Sequence, residues 1–286
     1  MPPDSSPMER RGAHGHPRFA VATLVLLLVC HAPRAHAAVP FVFEVVDAQF
    51  AGRYASLQLD AQGNPHISYQ DVGNSDLRYA HRENGTWTIE TVDSNDRVGA
   101  FSSLALDATG APVIAYFDQT NSDLKLARKV SGVWTIYVVD ALGPVGAYCS
   151  LALDRLGRTY ISYYDSGSDK PKYAHPGGIE LINISGLQLG TYGSLVVDDQ
   201  GVPWITTFNS RFSTFCVVTK IGTGWQLGGL DNFAGPGRGT SSARDSLGAL
   251  HMCGYDTGGR RLRYARRTGQ VTIVETVDSR GAAGSW

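Results

Sequence analysis

The chain is poor in the residues that announce a chemistry. It has 4 cysteines among 286 residues, and no Cys or His pair stands at metal-ligand spacing, which excludes a zinc finger and a disulfide scaffold. Formal net charge is −1 at pH 7, with acids and bases interspersed, so nucleic acid and anionic membrane are poor partners. There is no H-E-x-x-H, no serine nucleophile motif and no phosphate-cradling glycine loop, which removes the signatures of metalloproteases, serine hydrolases and nucleotide enzymes. Glutamate is scarce. Glu44, Glu90 and Glu275 fall in expected outer strands, Glu83 in a turn and Glu180 near a degenerate strand, and none is placed for the paired-carboxylate work of a glycosidase. Enzyme activity therefore has no obvious carrier.

Long apolar runs are missing too. Phe19 to Val29, preceded by Arg10, Arg11 and Arg18, falls short of the roughly 20 residues that a spanning helix needs. With Ala35-His36-Ala37 ahead of Ala38 it reads as a signal peptide over residues 1–37, so residues 38–286 should form one exported domain, secreted or periplasmic. Cys30 follows Leu27-Leu28-Val29, a poor lipidation box because Val29 stands where a small residue belongs. The remaining Cys149, Cys216 and Cys253 lie on different repeats and read as small buried hydrophobes.

What the chain does have is a repeat. The Asp that closes the segment Ser103 to Asp107, SLALD, recurs as Asp60, Asp107, Asp154, Asp198 and Asp245. A fixed period in the range of about 20 to 50 residues marks units that bury their apolar faces only by stacking on each other. Each unit reads as four strands, and polarity rises from the first strand to the fourth. Val113 to Phe117 is apolar on both faces, as expected of a strand covered on both sides. Trp134 to Val138 alternates, as a half-exposed strand should. That gradient predicts an all-β propeller of four-stranded antiparallel blades, inner strands covered and fourth strands at the rim. The repeats run over about 47–92, 93–139, 140–184, 185–230 and 231–277. Phe41 to Asp47, FVFEVVD, matches a fourth strand with no first three before it, and Val277 to Trp286 matches a lead-in loop with no strand after it. The expectation is five complete repeats with an orphan N-terminal strand, either from a truncated six- or seven-bladed parent or closing as a five-bladed ring.

Two sets of repeated residues should face one mouth of the channel. The loops leading into the first strands carry Gly-x-aromatic, giving Tyr54, Phe101, Tyr148 and Tyr192, while repeat five has Gly237-Arg238-Gly239. The loops between second and third strands begin with Asp71, Asp118, Asp165, Asn209 and Asp256. Repetition has a plain folding explanation: glycine for the turn, an aromatic wedge between blades, and Asp capping its own turn. The functional explanation is an aromatic-lined mouth that binds a glycan or a protein. Arg53, Arg211 and Arg238 add non-repeating charge there. Asp71 with Asp76, and Asp118 with Asp123, are weak calcium candidates that do not match an EF-hand loop, and no other cofactor is indicated. His66 and His251 share one position in second strands and read as core residues.

The pattern S-L-x-L-D-x-x-G-x-P-x-I-S-Y-x-D resembles that of secreted bacterial β-propeller repeat proteins, over nearly all of residues 38–286. Its D-x-x-G-x-P turn is distantly similar to the Asp-box turn of sialidase-like propellers, without their Ser and Trp in register. The resemblance implies an exported, non-catalytic binding propeller or, alternatively, a sialidase-like hydrolase. Sialidases hold an arginine triad with an Asp and a Tyr/Glu pair; the chain offers Arg53, Arg211 and Arg238 for the triad and no clear Tyr/Glu pair.

Overall fold

The computed structural model describes residues 43–48, 51–191, 193–212, 214–230, 240–256, 259–269 and 271–279. Chain contacts divide it into Met1–Glu44 and Val45–Trp286, and every strand lies in the second unit. Among the described residues no helix is long and apolar enough to cross a membrane.

Five antiparallel sheets of four strands each follow one another along the chain, every one a meander in sequence order. Blade one is β1 (Ala51–Leu59), β2 (Pro65–Asp71), β3 (Asp76–Glu83) and β4 (Thr86–Asp93). Blade two is β5 (Ala100–Leu106), β6 (Pro112–Asp118), β7 (Asp123–Val130) and β8 (Val133–Asp140), and blade three is β9 (Val145–Leu153), β10 (Thr159–Asp165), β11 (Lys170–His175) and β12 (Gly178–Leu181). Blade four comprises β13 (Ser194–Val197), β14 (Pro203–Asn209), β15 (Thr214–Ile221) and β16 (Gly224–Leu230). Blade five comprises β17 (Thr240–Arg244), β18 (Leu250–Asp256), β19 (Arg261–Thr268) and β20 (Val271–Asp278). Residues 43–48 lie outside any strand, and Phe41 and Val42 are not among the described residues.

The turns follow from their sequences. The repeated Asp binds its own turn: Asp60 Oδ1 accepts the N–H groups of Gln62 at 2.9 Å and Asn64 at 2.7 Å. Asp107 does the same for Thr109 at 2.9 Å and Ala111 at 3.0 Å, so each repeat spends this carboxylate on folding. Between third and fourth strands, Asn84-Gly85 and Ser131-Gly132 all have φ between 49° and 82°, the two-residue turn that matches strand twist.

Packing between blades is carried by the inner strands, stacked β1 on β5 on β9 on β13 on β17. Val113, Ile114, Ala115 and Tyr116 of β6 are fully buried, as their unbroken apolar run predicts. A serine in each first strand then joins neighbours. Ser56 Oγ accepts the backbone N–H of Leu104, Ser103 that of Leu151, Ser150 that of Leu195 and Ser194 that of Ser242, all at 3.0 Å.

A second joint is ionic. Asp93, at the end of β4, accepts from Tyr116 Oη of the next blade at 2.6 Å and lies 3.4 Å from Lys125 Nζ, which also meets Asp118 at 2.7 Å. Blade three repeats it with Asp140, Tyr163, Lys172 and Asp165, and blade one with Asp47, Tyr69, Arg78 and Asp71. Burial alone would push the Asp118 carboxyl up, but the Lys125 ammonium and Asn121 more than offset it and hold it below the usual range. Blade four carries Thr207, Asn209 and Cys216 where blade two has Tyr116, Asp118 and Lys125. Tyrosine, carboxylate and cation are all absent from blade four, whereas blade five keeps Asp256 and Arg263 with Gly254 at the tyrosine position.

Candidate functional site

The start of the first strand in blades one, two and three is built on two positions, two residues apart, whose backbone L side chains resist. Gly52, Gly99 and Gly146 have φ of 100°, 86° and 102°, and Tyr54, Phe101 and Tyr148, two residues on, have φ of 54°, 54° and 55°. The ladder slips there: between Ala51 and Ser56 on β1, and between Ala100 and Ser103 on β5. Glycine relieves the first position, and at Gly99 and Gly146 it has a second duty. A Cβ at Gly99 would lie 2.9 Å from Leu77 Cα, and one at Gly146 2.8 Å from Leu124 Cα, so the loop rests on the backbone of the preceding blade. The aromatic position has no such relief, since a non-glycine residue in the left-handed region costs on the order of 1 kcal/mol.

The bulge turns three rings onto one rim. Tyr54 and Phe101 stand 4.5 Å apart between ring centroids, Phe101 and Tyr148 4.4 Å, each pair tilted by about 44° or 43°. Phe117 and Tyr164 extend the arc behind them at 6.3 Å and 6.4 Å. All three leading rings are half-buried, anchored by their neighbours with part of each surface in solvent. Arg53 is exposed, its guanidinium carbon 5.3 Å from the Tyr54 centroid. Tyr54, Phe101, Tyr148 and Arg53 are thus brought together as expected. Arg211 is placed elsewhere: its guanidinium lies 5.4 Å from the ring of Phe212 and donates to Gly186 O at 3.3 Å. Tyr192 and Arg238 lie outside the described residues.

The expected ring of surface carboxylates is corrected. Asp71, Asp118, Asp165, Asn209 and Asp256 are all buried, because each caps its turn and, where it is Asp, holds a cation of its own blade. Asp71 Oδ1 accepts from Gly73 N at 2.9 Å while its Oδ2 takes Arg78 Nη2 at 2.6 Å. In the calcium candidates Asp71 with Asp76 and Asp118 with Asp123, the first carboxylate is already paired with a guanidinium or an ammonium, Arg78 at 2.6 Å and Lys125 at 2.7 Å. Asp76 and Asp123 have raised pKa values, from burial first and then from the charges of Asp71 and Asp118. Among the described residues no three His, Cys, Asp or Glu side chains are grouped to hold a metal.

The other polar residues are committed to structure. Burial alone would raise Glu90, but Lys129 at 2.6 Å and Trp134 Nε1 at 2.9 Å lower it instead, so it is an ionised strut between blades one and two. His66 is buried, its Nδ1 2.5 Å from Tyr79 Oη, and burial lowers its pKa despite Asp60. His251 bridges Tyr264 Oη at 2.6 Å and Asp245 at 3.0 Å. Cys149 and Cys216 are buried and pushed up to about 12 by that burial, while Cys253 is exposed.

No known protein family matches the chain, and no curated protein does. Solved structures do match. A lectin from Aleuria aurantia, crystallised with Fucα1-6GlcNAc, is 12% identical with a TM-score of 0.53, covering 83% of this chain and 81% of the lectin. Virginiamycin B lyase from Staphylococcus aureus is 11% identical with a TM-score of 0.55, covering 85% and 75%. Hadza microbial sialidase Hz136 is 15% identical with a TM-score of 0.53, covering 79% of this chain and 58% of its own. The fold is a β-propeller. The propeller is shared by a lectin, a lyase and a sialidase at identities this low, so the likeness speaks for architecture alone.

Sequence reasoning missed two features of this propeller. The joint serine was visible as the first letter of every SLALD-like segment, but a serine at a strand start carries no sign of what it bonds. The even overall charge also hides a cluster, Arg260, Arg261, Arg263, Arg266 and Arg267, in and beside β19.

Proposed function

We propose that the protein is an exported binding propeller that takes a glycan on the rim formed by Tyr54, Phe101 and Tyr148, with Arg53 at its edge. The observation that supports this most is the repeated left-handed backbone under three half-exposed aromatic rings. A turn that needs positive φ is most simply made with glycine, and three blades spend that strain on a ring. Stacked, tilted aromatics present an apolar, polarisable surface suited to the C–H face of a pyranose, and Arg53 supplies a planar fork of donors for hydroxyl or carboxylate oxygens. The fold-sharing lectin gives a precedent for sugar binding on this architecture. Export rests on the segment before Ala38, and N-terminal sequencing of the secreted product should find Ala38 first.

The test is a glycan array on the mature protein beside Tyr148→Asn. Asparagine tolerates the left-handed region, so this change removes the ring without straining the backbone, and its melting temperature should stay within a few degrees. Loss of one anchoring aromatic is worth about 1 to 3 kcal/mol, roughly ten- to hundredfold in affinity. Glycan binding unchanged by Tyr148→Asn would remove the rim from the reading. Release of reducing sugar from a polymer would replace the binding module with a carbohydrate-active enzyme.

A further inference from the structure

A second groove opens between blades four and five at the opposite ends of the inner strands, beside the turns that follow the first strands. It encloses a cavity of about 300 Å³. Its apolar wall is Val196, Trp204 and Leu250, and two guanidinium groups, Arg244 and Arg267, line it with them. Two of these residues break the repeat. Where Trp204 stands, the other blades have His66, Val113, Tyr160 and His251; where Arg244 stands, they have Leu59, Leu106, Leu153 and Val197. An arginine at a position otherwise reserved for aliphatic side chains is not required by the blade.

Both cations are held in place. The Arg267 guanidinium carbon lies 5.2 Å from the Trp204 ring centroid, and its Nε donates to Gly269 O at 3.0 Å. Arg244 Nη1 donates to Asp199 at 3.2 Å. The carboxylate of Asp198, also in the lining, accepts the N–H groups of Gln200 and Val202 at 2.9 Å each and serves its own turn. The equivalent groove between blades one and two, about 600 Å³, is lined instead by Asp60, Asp107 and Glu83 with His66, His81 and Arg82. One architectural slot therefore mixes carboxylates with histidines and an arginine at one end of the chain and sets two arginines beside an indole at the other.

The geometry points to a binding site for a carboxylate carried on a six-membered ring, with a hexuronic acid as the intended occupant. A guanidinium laid on an indole is pre-oriented, and its fork matches a carboxylate in a way that a flexible ammonium does not. The apolar wall gives the ring of the ligand a surface to cover, and the cavity has the volume of a small ligand pocket. The site is independent of the aromatic rim.

The experiment is calorimetric titration of the whole protein with methyl glucuronide, methyl glucoside, benzoate and acetate. Saturable binding of the glucuronide is expected, with the glucoside and acetate at least about tenfold weaker. Arg244→Leu restores the residue type of the other blades and should fold at least as well while weakening the glucuronide about tenfold. Arg267→Lys, which keeps the charge found at Lys129 and Lys220, should weaken it as well. Benzoate exceeding the glucuronide would keep the carboxylate site and assign it to aromatic acids. No saturable glucuronide binding, equal binding of the glucoside, or full retention by Arg244→Leu would overturn the proposal. Acetate binding as tightly as the glucuronide would overturn the part played by the ring.

Discussion

Blade one and blade two are near-copies in sequence but differ in what covers them. Leu104 of β5 is 1% exposed, packed against Leu77 and Tyr79 of blade one, whereas its counterpart Leu57 is 58% exposed. Leu59 is 61% exposed while Leu106 is half-buried. A Cβ on Gly99 would strike Leu77, yet one on Gly52 meets nothing within 4 Å. The ionic joint behaves differently. Arg78 keeps both carboxylates, Asp47 at 2.9 Å and Asp71 at 2.6 Å, because residues 43–48 bring Asp47 to the place that Asp93 fills for blade two. In blade one the polar half of the inter-blade contact persists where the apolar half does not, so the two halves are separable.

That separation is open to measurement by urea unfolding. The largest losses should come from the ionic joint, and they should be alike in the two blades. Lys125→Met and Arg78→Met each leave buried carboxylates uncompensated, for about 3 to 5 kcal/mol. The Lys125→Met loss should shrink in acid. The folded pKa of Asp118 is depressed, so its contribution is present above the unfolded value near 3.9 and fades as pH falls through the folded one. A loss that stays constant down to pH 2 would mean that packing of the lysine stem, and not charge, is being read.

Next in size comes the apolar half, where the blades should part. Leu104→Ala is expected to cost about 2 to 5 kcal/mol, against less than about 1 for Leu57→Ala. Equal costs would show that the face of β1 is covered in solution. Gly146→Ala combines positive φ with backbone overlap and should cost about 2 to 4 kcal/mol, while Gly52→Ala carries only the φ strain, about 1. The smallest difference concerns the serines. Ser103→Ala leaves the Leu151 N–H without its acceptor, for about 1 to 2 kcal/mol. Ser241, its exposed counterpart in blade five, should lose less than about 0.5 on the same change.

The architecture was legible because its causes are local and repeated. A recurring Asp-x-x-Gly turn fixes each strand pair, and the run Val113 to Phe117 can be satisfied only between two sheets. The aromatic rim was legible for the same reason, as Gly-x-aromatic marks a bulge in blades one, two and three. The carboxylates were misplaced because residue type does not disclose a partner: Asp118 looks like a solvated loop residue until Lys125, across the hairpin, is seen closing on it. The exposure of Leu57 was beyond reach of the repeat altogether, since SLQLD and SLALD differ in nothing that reports what lies beyond the first strand. Nothing in the bare repeat assigns Trp204 or Arg244 a role, because only the packing of blade four on blade five joins them in one groove.

The serine joint gives the stack a direction in time. In every case the acceptor oxygen belongs to the earlier blade and the backbone N–H to the later one. A blade that folds as it is made would offer its hydroxyl to a strand still emerging, an arrangement that favours growth from the N-terminal side. A fragment made of blades four and five alone lacks the Ser150 acceptor for the Leu195 N–H, so protease should cut within β13 sooner than in the whole chain.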